Sequence, residues 1–130
     1  MTTREPISTD RAPAAAGPYS QAIRAGDLVF TAGQLGIDPA TGALVGDDVA
    51  AQAERALTNL SAILEAAGSG MDRLVKVTVF LAEIGDWPAV NEVYARLVPE
   101  PFPARSAFAV KALPLGARVE VEGVAALGVG

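Results

Sequence analysis

Residues 48–82, DVAAQAERALTNLSAILEAAGSGMDRLVKVTVFLA, contain the two patterns that decide the fold. In the first half, apolar residues recur at helical spacing, which predicts an α-helix from about Asp48 to Ala67. These apolar positions are Val49, Ala53, Leu57, Leu60, Ile63 and Leu64. Asp47 or Asp48 can cap the start of this helix, and Gly68 can end it. The run from Leu74 to Ala82 is β-branched and almost continuously apolar, which predicts a strand covered on both faces.

Two shorter strands are predicted on the N-terminal side of this helix. Tyr19–Arg24 and Leu28–Ala32 are joined at Ala25-Gly26-Asp27, a sequence typical of a hairpin turn. There is room for an extra short strand near Ile7. The segment 1–16 is rich in Ala, Pro and charge, and is expected to be partly irregular. It has the features of neither a signal peptide nor a membrane-spanning helix.

On the C-terminal side, a second helix and two further strands are predicted. Asp86 can cap this helix and Pro88 suits its first turn. Its apolar stripe consists of Trp87, Val90, Val93, Tyr94 and Leu97. After a loop rich in proline, Pro99–Pro103, the strands Ser106–Lys111 and Arg118–Leu127 flank a turn at residues 113–116. If these two strands pair as a hairpin, Arg105 and Glu120 lie about 13 Å apart along it.

The order of elements predicts one α+β domain over residues 1–130, with a mixed sheet of about six strands. Two helices can cover one face of such a sheet, so the other face must find a different partner. Apolar residues make up 51% of the chain, and the mean hydropathy is +0.33. No apolar run reaches the roughly 18 residues that span a bilayer. We therefore expect the surplus apolar surface to be buried between subunits rather than in a membrane.

Charge and residue types exclude several functions. The net charge of −5 offers no basic surface for nucleic acid. The chain contains no His and no Cys, which rules out a Ser-His-Asp triad, a thiolate nucleophile and an ordinary zinc site. The absence of Cys also rules out disulfides and fits a reducing cytoplasm. Any chemistry must use carboxylates, Arg, Lys, Tyr, Ser, Thr, backbone groups or water, and we expect neither metal nor cofactor.

Two segments carry candidate reactive groups. In Pro103-Ala104-Arg105-Ser106 an arginine enters a strand directly after a rigid loop. In Arg118-Val119-Glu120-Val121-Glu122 charged and apolar residues alternate, so Arg118, Glu120 and Glu122 share one face. Spacing alone leaves two interpretations open. Arg105 is a surface cation beside a solvated strand face, or these charges have specific partners, because an unpaired buried charge is costly.

Five strings of sequence, in order and spacing, resemble the signature of the Rid (YjgF-type) family of reactive intermediate deaminases. They are PAAAGPYSQA at 13–22, AGQ at 32–34, VNEVY at 90–94, FPARS at 102–106 and VEVE at 119–122. The resemblance extends from about Ile7 to Leu127, which is nearly the whole chain. Within the family, the chain resembles the archetypal deaminase branch. It implies a chorismate-mutase-like fold and a homotrimer whose sheets form a central barrel, with sites in clefts between subunits.

The resemblance also implies an activity. It is the hydrolysis of 2-imino acids such as 2-iminobutanoate and 2-iminopropanoate to 2-keto acids and ammonia, without a cofactor. Arg105 resembles the carboxylate anchor, since a guanidinium offers a planar fork, and Glu120 resembles the acid/base that activates water. The alternatives are a structural salt bridge for Arg105, and a structural partner role for Glu122, which shares the face of Glu120. An apolar cleft raises the pKa of Glu120 while Arg105 nearby lowers it, so opposing effects are expected.

Four more residues resemble the lining of the family's pocket. They are Tyr19, the Gly33 backbone, Asn91 and Ala107. Tyr19 can instead close the cleft wall, and Asn91 can instead bond a loop backbone. Ala107 stands where some members carry Cys, and Ala32 where many carry Ser. Loss of the hydroxyl at position 32 is expected either to shift substrate preference or to weaken binding by about 1 kcal/mol, the net contribution of a hydrogen bond.

Three other functions stay open at the level of sequence. A non-catalytic trimer that binds keto or amino acids would use the same Arg105 pocket. A tailoring enzyme would use it on a larger imine in a biosynthetic pathway. Ribonuclease activity has also been proposed for the family, and the negative charge and missing His argue against it here. Whether one chain or two supply Arg105 and Glu120 is likewise left open.

Overall fold

Nine strands and two α-helices form the part of the chain that the computed structural model describes, residues 3–128. The strands are β1 Arg4–Ile7, β2 Ala22–Ala25, β3 Leu28–Thr31, β4 Gln34–Leu35, β5 Ile37–Asp38, β6 Ala43–Leu44, β7 Leu74–Leu81, β8 Ala104–Ala109 and β9 Val119–Ala126. The helices are α1 Val49–Ala66 and α2 Trp87–Leu97. The expected α+β class, with two helices and a mixed sheet, is confirmed. The ends of the expected domain, at residues 1–2 and 129–130, lie outside the described residues.

Local chemistry accounts for both ends of α1 and for the first turn of α2. The Asp48 carboxylate accepts a hydrogen bond from the Ala51 N–H at 2.9 Å and caps α1. Gly68 follows α1 at φ +86°, a conformation that favours glycine and ends the helix. Pro88 lies in the first turn of α2 as expected. Asp86 makes no side-chain capping bond to α2, so that prediction is wrong. Its carboxylate instead accepts from the Arg118 guanidinium at 2.8 and 3.2 Å.

The main sheet has the order β1-β2-β3-β9-β7-β8, with β4 pairing with β9 beside β3. β8 runs parallel to β7, and the other pairs in the sheet are antiparallel. The proposed hairpin of the last two strands is therefore wrong, because β7 lies between β8 and β9. After α2 the chain returns parallel to β7, which is the usual result of a β-α-β crossover. β8 is an edge strand, and the hairpin distance between Arg105 and Glu120 does not apply.

The helices cover only one face of the sheet. Alternate residues of β9 are buried beneath them, and Glu120 and Glu122 point to the opposite, open face, as expected. On β7, Val77, Val79 and Leu81 are buried, whereas the intervening residues are only partly buried. Within one chain this strand is thus covered on one face, not on both. The open face also carries Phe30 and Phe108, which are 45% and 44% exposed.

A buried amide attaches the segment after β4 to α1. Asn59 is completely buried, and its Nδ2 donates to the carbonyls of Leu35 at 3.1 Å and Ile37 at 2.9 Å. Between these two residues, Gly36 packs against α1 so closely that a Cβ would lie 2.6 Å from the Gln52 backbone. The helix thereby fixes the chain that follows Gly33 and Gln34.

Asn59→Ala is expected to lower the free energy of unfolding by about 2–4 kcal/mol, because two buried carbonyls lose their donor. Thr58→Ala is the matched control, since Thr58 is the adjacent, exposed residue of α1 and such changes cost roughly 0.5 kcal/mol or less. Chemical denaturation of both variants measures the difference. Equal stability of the two variants would contradict this role of Asn59.

Candidate active site

A cavity of about 770 Å³ opens beside Glu120. Four parts of the chain form its walls: the N-terminal segment, the residues from β3 to the β5 turn, the loop before β9, and β9 itself. The lining residues are Pro13, Ala14, Ala16, Tyr19, Ala32, Gly33, Gln34, Leu35, Ile37, Pro39, Gly42, Pro114, Leu115 and Glu120. Most of these side chains are apolar. The volume lies within the range of small-molecule sites in proteins.

Glu120 lies directly against the backbone of Gly33. A Cβ at position 33 would lie 2.6 Å from Glu120 Oε2, so only glycine leaves space for the carboxylate in this position. Within residues 3–128 no cation forms an ion pair with this carboxylate. The close approach explains in steric terms why glycine stands at position 33.

The environment of Glu120 favours its protonated form. Burial raises the pKa of the Glu120 carboxyl above its ordinary value, and the neighbouring charge of Glu122 raises the pKa further. The expected lowering by Arg105 is absent, because Arg105 lies on the other face of the sheet. A raised pKa makes the ionised Glu120 carboxylate a stronger proton acceptor, as a general base requires.

Tyr19 lies on the wall of the Glu120 cavity, as the family resemblance implied. It is 53% exposed, and its hydroxyl accepts a hydrogen bond from the Ala16 N–H at 3.3 Å. The wall is held by the buried Gln21, whose amide donates to the carbonyls of Thr9 and Pro13 at 3.0 and 2.7 Å. The Gln21 Oε1 also accepts from the Thr9 N–H at 2.7 Å. Sequence patterns gave no signal for this residue, since a single Gln is not periodic.

Arg105 belongs to a second cavity, of about 370 Å³, between α2 and β8. Its guanidinium lies over the rings of Trp87 and Tyr94, at 4.5 and 4.7 Å from the ring centroids. Its Nη1 donates to Asn91 Oδ1 at 2.8 Å. Arg105 is exposed, and within the described part of the chain it forms no ion pair with a carboxylate. The guanidinium is thus oriented while most of its donors remain available.

The sequence-predicted site residues fall into two groups on opposite faces of the sheet. Gly33 and Tyr19 lie with Glu120, and Asn91 lies with Arg105. The register shows why: Arg105 is paired with Val77, which faces the helices, whereas Glu120 is paired with Phe80 on the open face. Ala107, two residues after Arg105 on β8, points to the same face as Arg105 and is partly buried against the core. One chain therefore does not bring Arg105 and Glu120 together.

Three residues that contact Arg105 or line the Glu120 cavity were not among the site residues predicted from the sequence. Trp87 and Tyr94 were assigned to the apolar stripe of α2, and nothing in that pattern indicated a cation above them. Leu115 lines the Glu120 cavity, is 68% exposed and has φ +60°. A left-handed conformation is costly for a leucine and concentrates at functional sites. A positive φ at this residue has no sequence signal other than the neighbouring Gly116.

Within residues 3–128, no group of three or more acidic side chains is placed to hold a metal ion. No helix in the described range has the length and apolar character to cross a membrane.

The fold and the two cavities define a class of protein: a small α+β domain with a carboxylate in an apolar cavity on the open face of its sheet and an oriented arginine at the sheet edge. The chain belongs to the family described as Endoribonuclease L-PSP, whose model matches residues 9–127. The resemblance to the Rid deaminases is thereby confirmed over nearly the whole chain.

Two curated relatives are about half identical to this chain. RutC family protein y4sK of Sinorhizobium fredii is 53% identical over 123 residues, which cover 95% of this chain and 98% of that protein. The 2-iminobutanoate/2-iminopropanoate deaminase of Bos taurus is 51% identical over 125 residues, which cover 96% of this chain and 91% of that protein. The chain is thus similar over its length to a named imino-acid deaminase.

The fold is shared with a crystal structure of E. coli TdcF with bound serine. The two superpose with a TM-score of 0.91 at 38% identity, covering 95% of this chain and 99% of that chain. That relative therefore binds a small amino acid on the same fold.

Glu120→Gln is expected to stabilise the protein at neutral pH but not near pH 4. Because the pKa of Glu120 is higher in the native state than in the unfolded chain, its contribution to stability is present below the unfolded pKa. That contribution is lost as pH rises through the native pKa. Glutamine does not ionise, so the variant keeps its stability as pH rises. The Tm difference between variant and wild type should therefore grow with pH. Thermal unfolding from pH 4 to 8 measures it.

The matched control for Glu120→Gln is Glu92→Gln, which removes one negative charge from an exposed position on α2. A Tm difference for Glu120→Gln that is constant with pH, or the same as that of the control, would contradict the raised pKa.

Proposed function

We propose that this protein hydrolyses 2-imino acids, among them 2-iminobutanoate and 2-iminopropanoate, to 2-keto acids and ammonia. One observation carries the proposal: a carboxyl with a raised pKa and an oriented guanidinium that forms no ion pair within residues 3–128 occur in one small domain. The similarity to an imino-acid deaminase of Bos taurus supports the same chemistry. The cysteine-free sequence is consistent with work in the cytoplasm.

Arg105 would anchor the substrate. A 2-imino acid carries a planar carboxylate, which a guanidinium binds through two parallel hydrogen bonds. Asn91 occupies one of the five N–H donors of Arg105, which leaves a pair free for this contact. The anchored carboxylate would hold C2 in a fixed position relative to the acid/base.

Glu120 would transfer the protons. As a carboxylate it accepts a proton from water while the water oxygen bonds to C2 and the electrons of the C=N bond move to nitrogen. The resulting carbinolamine then receives the proton from Glu120 on nitrogen. Glu120 then takes the proton of the carbinolamine hydroxyl and passes it to nitrogen while the C=O bond forms and the C–N bond breaks, so that ammonia leaves and the keto acid remains. A carboxyl group with a raised pKa suits both directions of this transfer.

We further propose that the site forms between copies of the chain in a homotrimer. Arg105 lies at the edge strand β8, and Glu120 lies on the open face. A second copy that places its edge against this face would bring the two groups together, and repetition of the contact closes a ring. The same contact would bury the exposed Phe30 and Phe108, since large exposed apolar patches mark interfaces.

A second candidate function is binding without turnover, as in a sensor of small amino or keto acids. The bound serine in the crystal structure of TdcF favours it. Glu120→Ala discriminates the two functions. Lost hydrolysis with retained affinity for the product 2-oxobutanoate supports the enzyme, whereas a wild-type protein that binds but does not accelerate hydrolysis supports the sensor.

Arg105→Lys is expected to lower kcat/KM by about 10–100-fold, because an ammonium keeps the charge but loses the bidentate fit. The assay generates 2-iminobutanoate from threonine with a dehydratase and times the appearance of the keto acid. Arg96→Lys is the matched control, since Arg96 is an exposed arginine of α2 that pairs with Glu54. Unchanged kinetics of Arg105→Lys would contradict the anchor role.

Mixing two inactive variants tests the shared site. Arg105→Ala and Glu120→Ala subunits are co-expressed in equal amounts. In a closed ring, about a quarter of the sites receive both native residues from adjacent copies. We therefore expect recovery of that fraction of wild-type activity.

The control for this mixing experiment replaces Glu120→Ala by the double variant Arg105→Ala/Glu120→Ala, in which no copy supplies Arg105. This mixture should stay inactive. Mixed oligomers of the first pair without any recovered activity would contradict a site between copies.

A further inference from the structure

One face of α2 is built around the Arg105 guanidinium. Trp87, Asn91 and Tyr94 follow one another at helical spacing of four and three residues, so they project from the same side of the helix. All three contact Arg105: the two rings at 4.5 and 4.7 Å, and the Asn91 Oδ1 at 2.8 Å. Three contacts from one rigid element fix both the position and the plane of the guanidinium.

This arrangement differs from a structural ion pair. Arg105 forms no ion pair with a carboxylate of residues 3–128. An aromatic face attracts a cation without occupying its N–H donors, which stay available to an anion. Tyr94 is almost completely buried and lines the cavity with Arg105, so this part of the wall is fixed by the core.

Trp87 is the more adaptable of the two rings. It is only partly buried and packs against the edge of the core. It is also the only tryptophan in the 130-residue sequence. Its position at the first residue of α2 places it where a change of side chain disturbs the helix least.

We propose that Trp87 is a positioning residue that holds the Arg105 guanidinium in the plane in which it receives the substrate carboxylate. The inference rests on the proposed function and extends it to a residue outside the reacting groups. Because an arginine held in its bound orientation loses less freedom on binding, Trp87 acts on affinity. It does not contact the groups that exchange protons, so the chemical step is left unchanged.

Trp87→Leu and Trp87→Phe test this proposal. We expect Trp87→Leu to weaken binding about 3–10-fold, measured both as the Kd for the keto acid 2-oxobutanoate and as the KM for the substrate 2-iminobutanoate. Its kcat should stay within about twofold of wild type. Trp87→Phe keeps an aromatic face and should restore both constants to within about twofold. Ile84→Ala, which removes an exposed apolar side chain just before α2, is the matched control and should leave both unchanged.

Tryptophan fluorescence of the wild type gives an independent readout. Since Trp87 is the single tryptophan, its emission reports the surroundings of Arg105 directly. Titration with 2-oxobutanoate should change the Trp87 emission, and the Kd obtained from this change should equal the Kd measured by calorimetry. The variant Arg105→Ala should abolish the change. This measurement uses the wild-type protein, so it tests the proposal even if the Trp87→Leu variant does not fold. Emission that stays constant while calorimetry shows saturation would overturn the proposal.

The outcomes separate this proposal from the proposed function. If Arg105→Ala binds 2-oxobutanoate like wild type, the carboxylate anchor is wrong and the proposed function loses its basis. If Arg105→Ala weakens binding but Trp87→Leu does not, the anchor stands and only the positioning role is overturned. Loss of affinity in Trp87→Leu that Trp87→Phe fails to restore overturns it as well.

Discussion

The pairing of β7 with two different neighbours is the constraint on which the site depends. β9 lies antiparallel on one side of β7 and β8 lies parallel on the other. The register of these pairs turns Arg105 toward the helices and Glu120 toward the open face. A one-residue shift of β9 would turn Glu120 and Glu122 toward the core, and the same shift of β8 would turn Arg105 to the open face. The buried side chains of β9 and β7 therefore fix the direction of the reactive groups.

The open face of the sheet carries apolar and charged side chains that neither α-helix of the same chain covers. It carries two exposed phenylalanines and the carboxylates of Glu120 and Glu122, one of which lies against a glycine backbone. Burial and the charge of Glu122 both raise the pKa of Glu120 and so disfavour its ionisation. Such a group is costly for stability, since its ionised form is destabilised in the fold. This cost is consistent with selection for reactivity rather than for stability of the isolated chain.

Sequence patterns predicted the elements better than their arrangement. The periodicity of α1 and the alternation in β9 are local signals, and the structure confirms both. The strand order is not local, because a chain passing through α2 can return to either side of β7. The wrong hairpin and the wrong Asp86 cap have one origin: a longer-range partner, β7 or Arg118, competed successfully with the local one. Sequence patterns did not indicate the two aromatic contacts of Arg105, because Trp87 belongs to the apolar stripe of α2 and such residues are expected to pack in the core.

Departures from local structural rules converge on the Glu120 cavity. Leu115 has a left-handed backbone and an exposed apolar side chain, a Cβ at Gly33 would displace the Glu120 carboxylate, and Glu120 has a raised pKa. Each feature costs stability, and all three residues line one cavity. In a sequence whose helices and core otherwise follow local preferences, such a cluster marks this cavity as the candidate functional site. Strain, close packing and charge thus point to the same carboxylate as the family resemblance does, without reference to any relative.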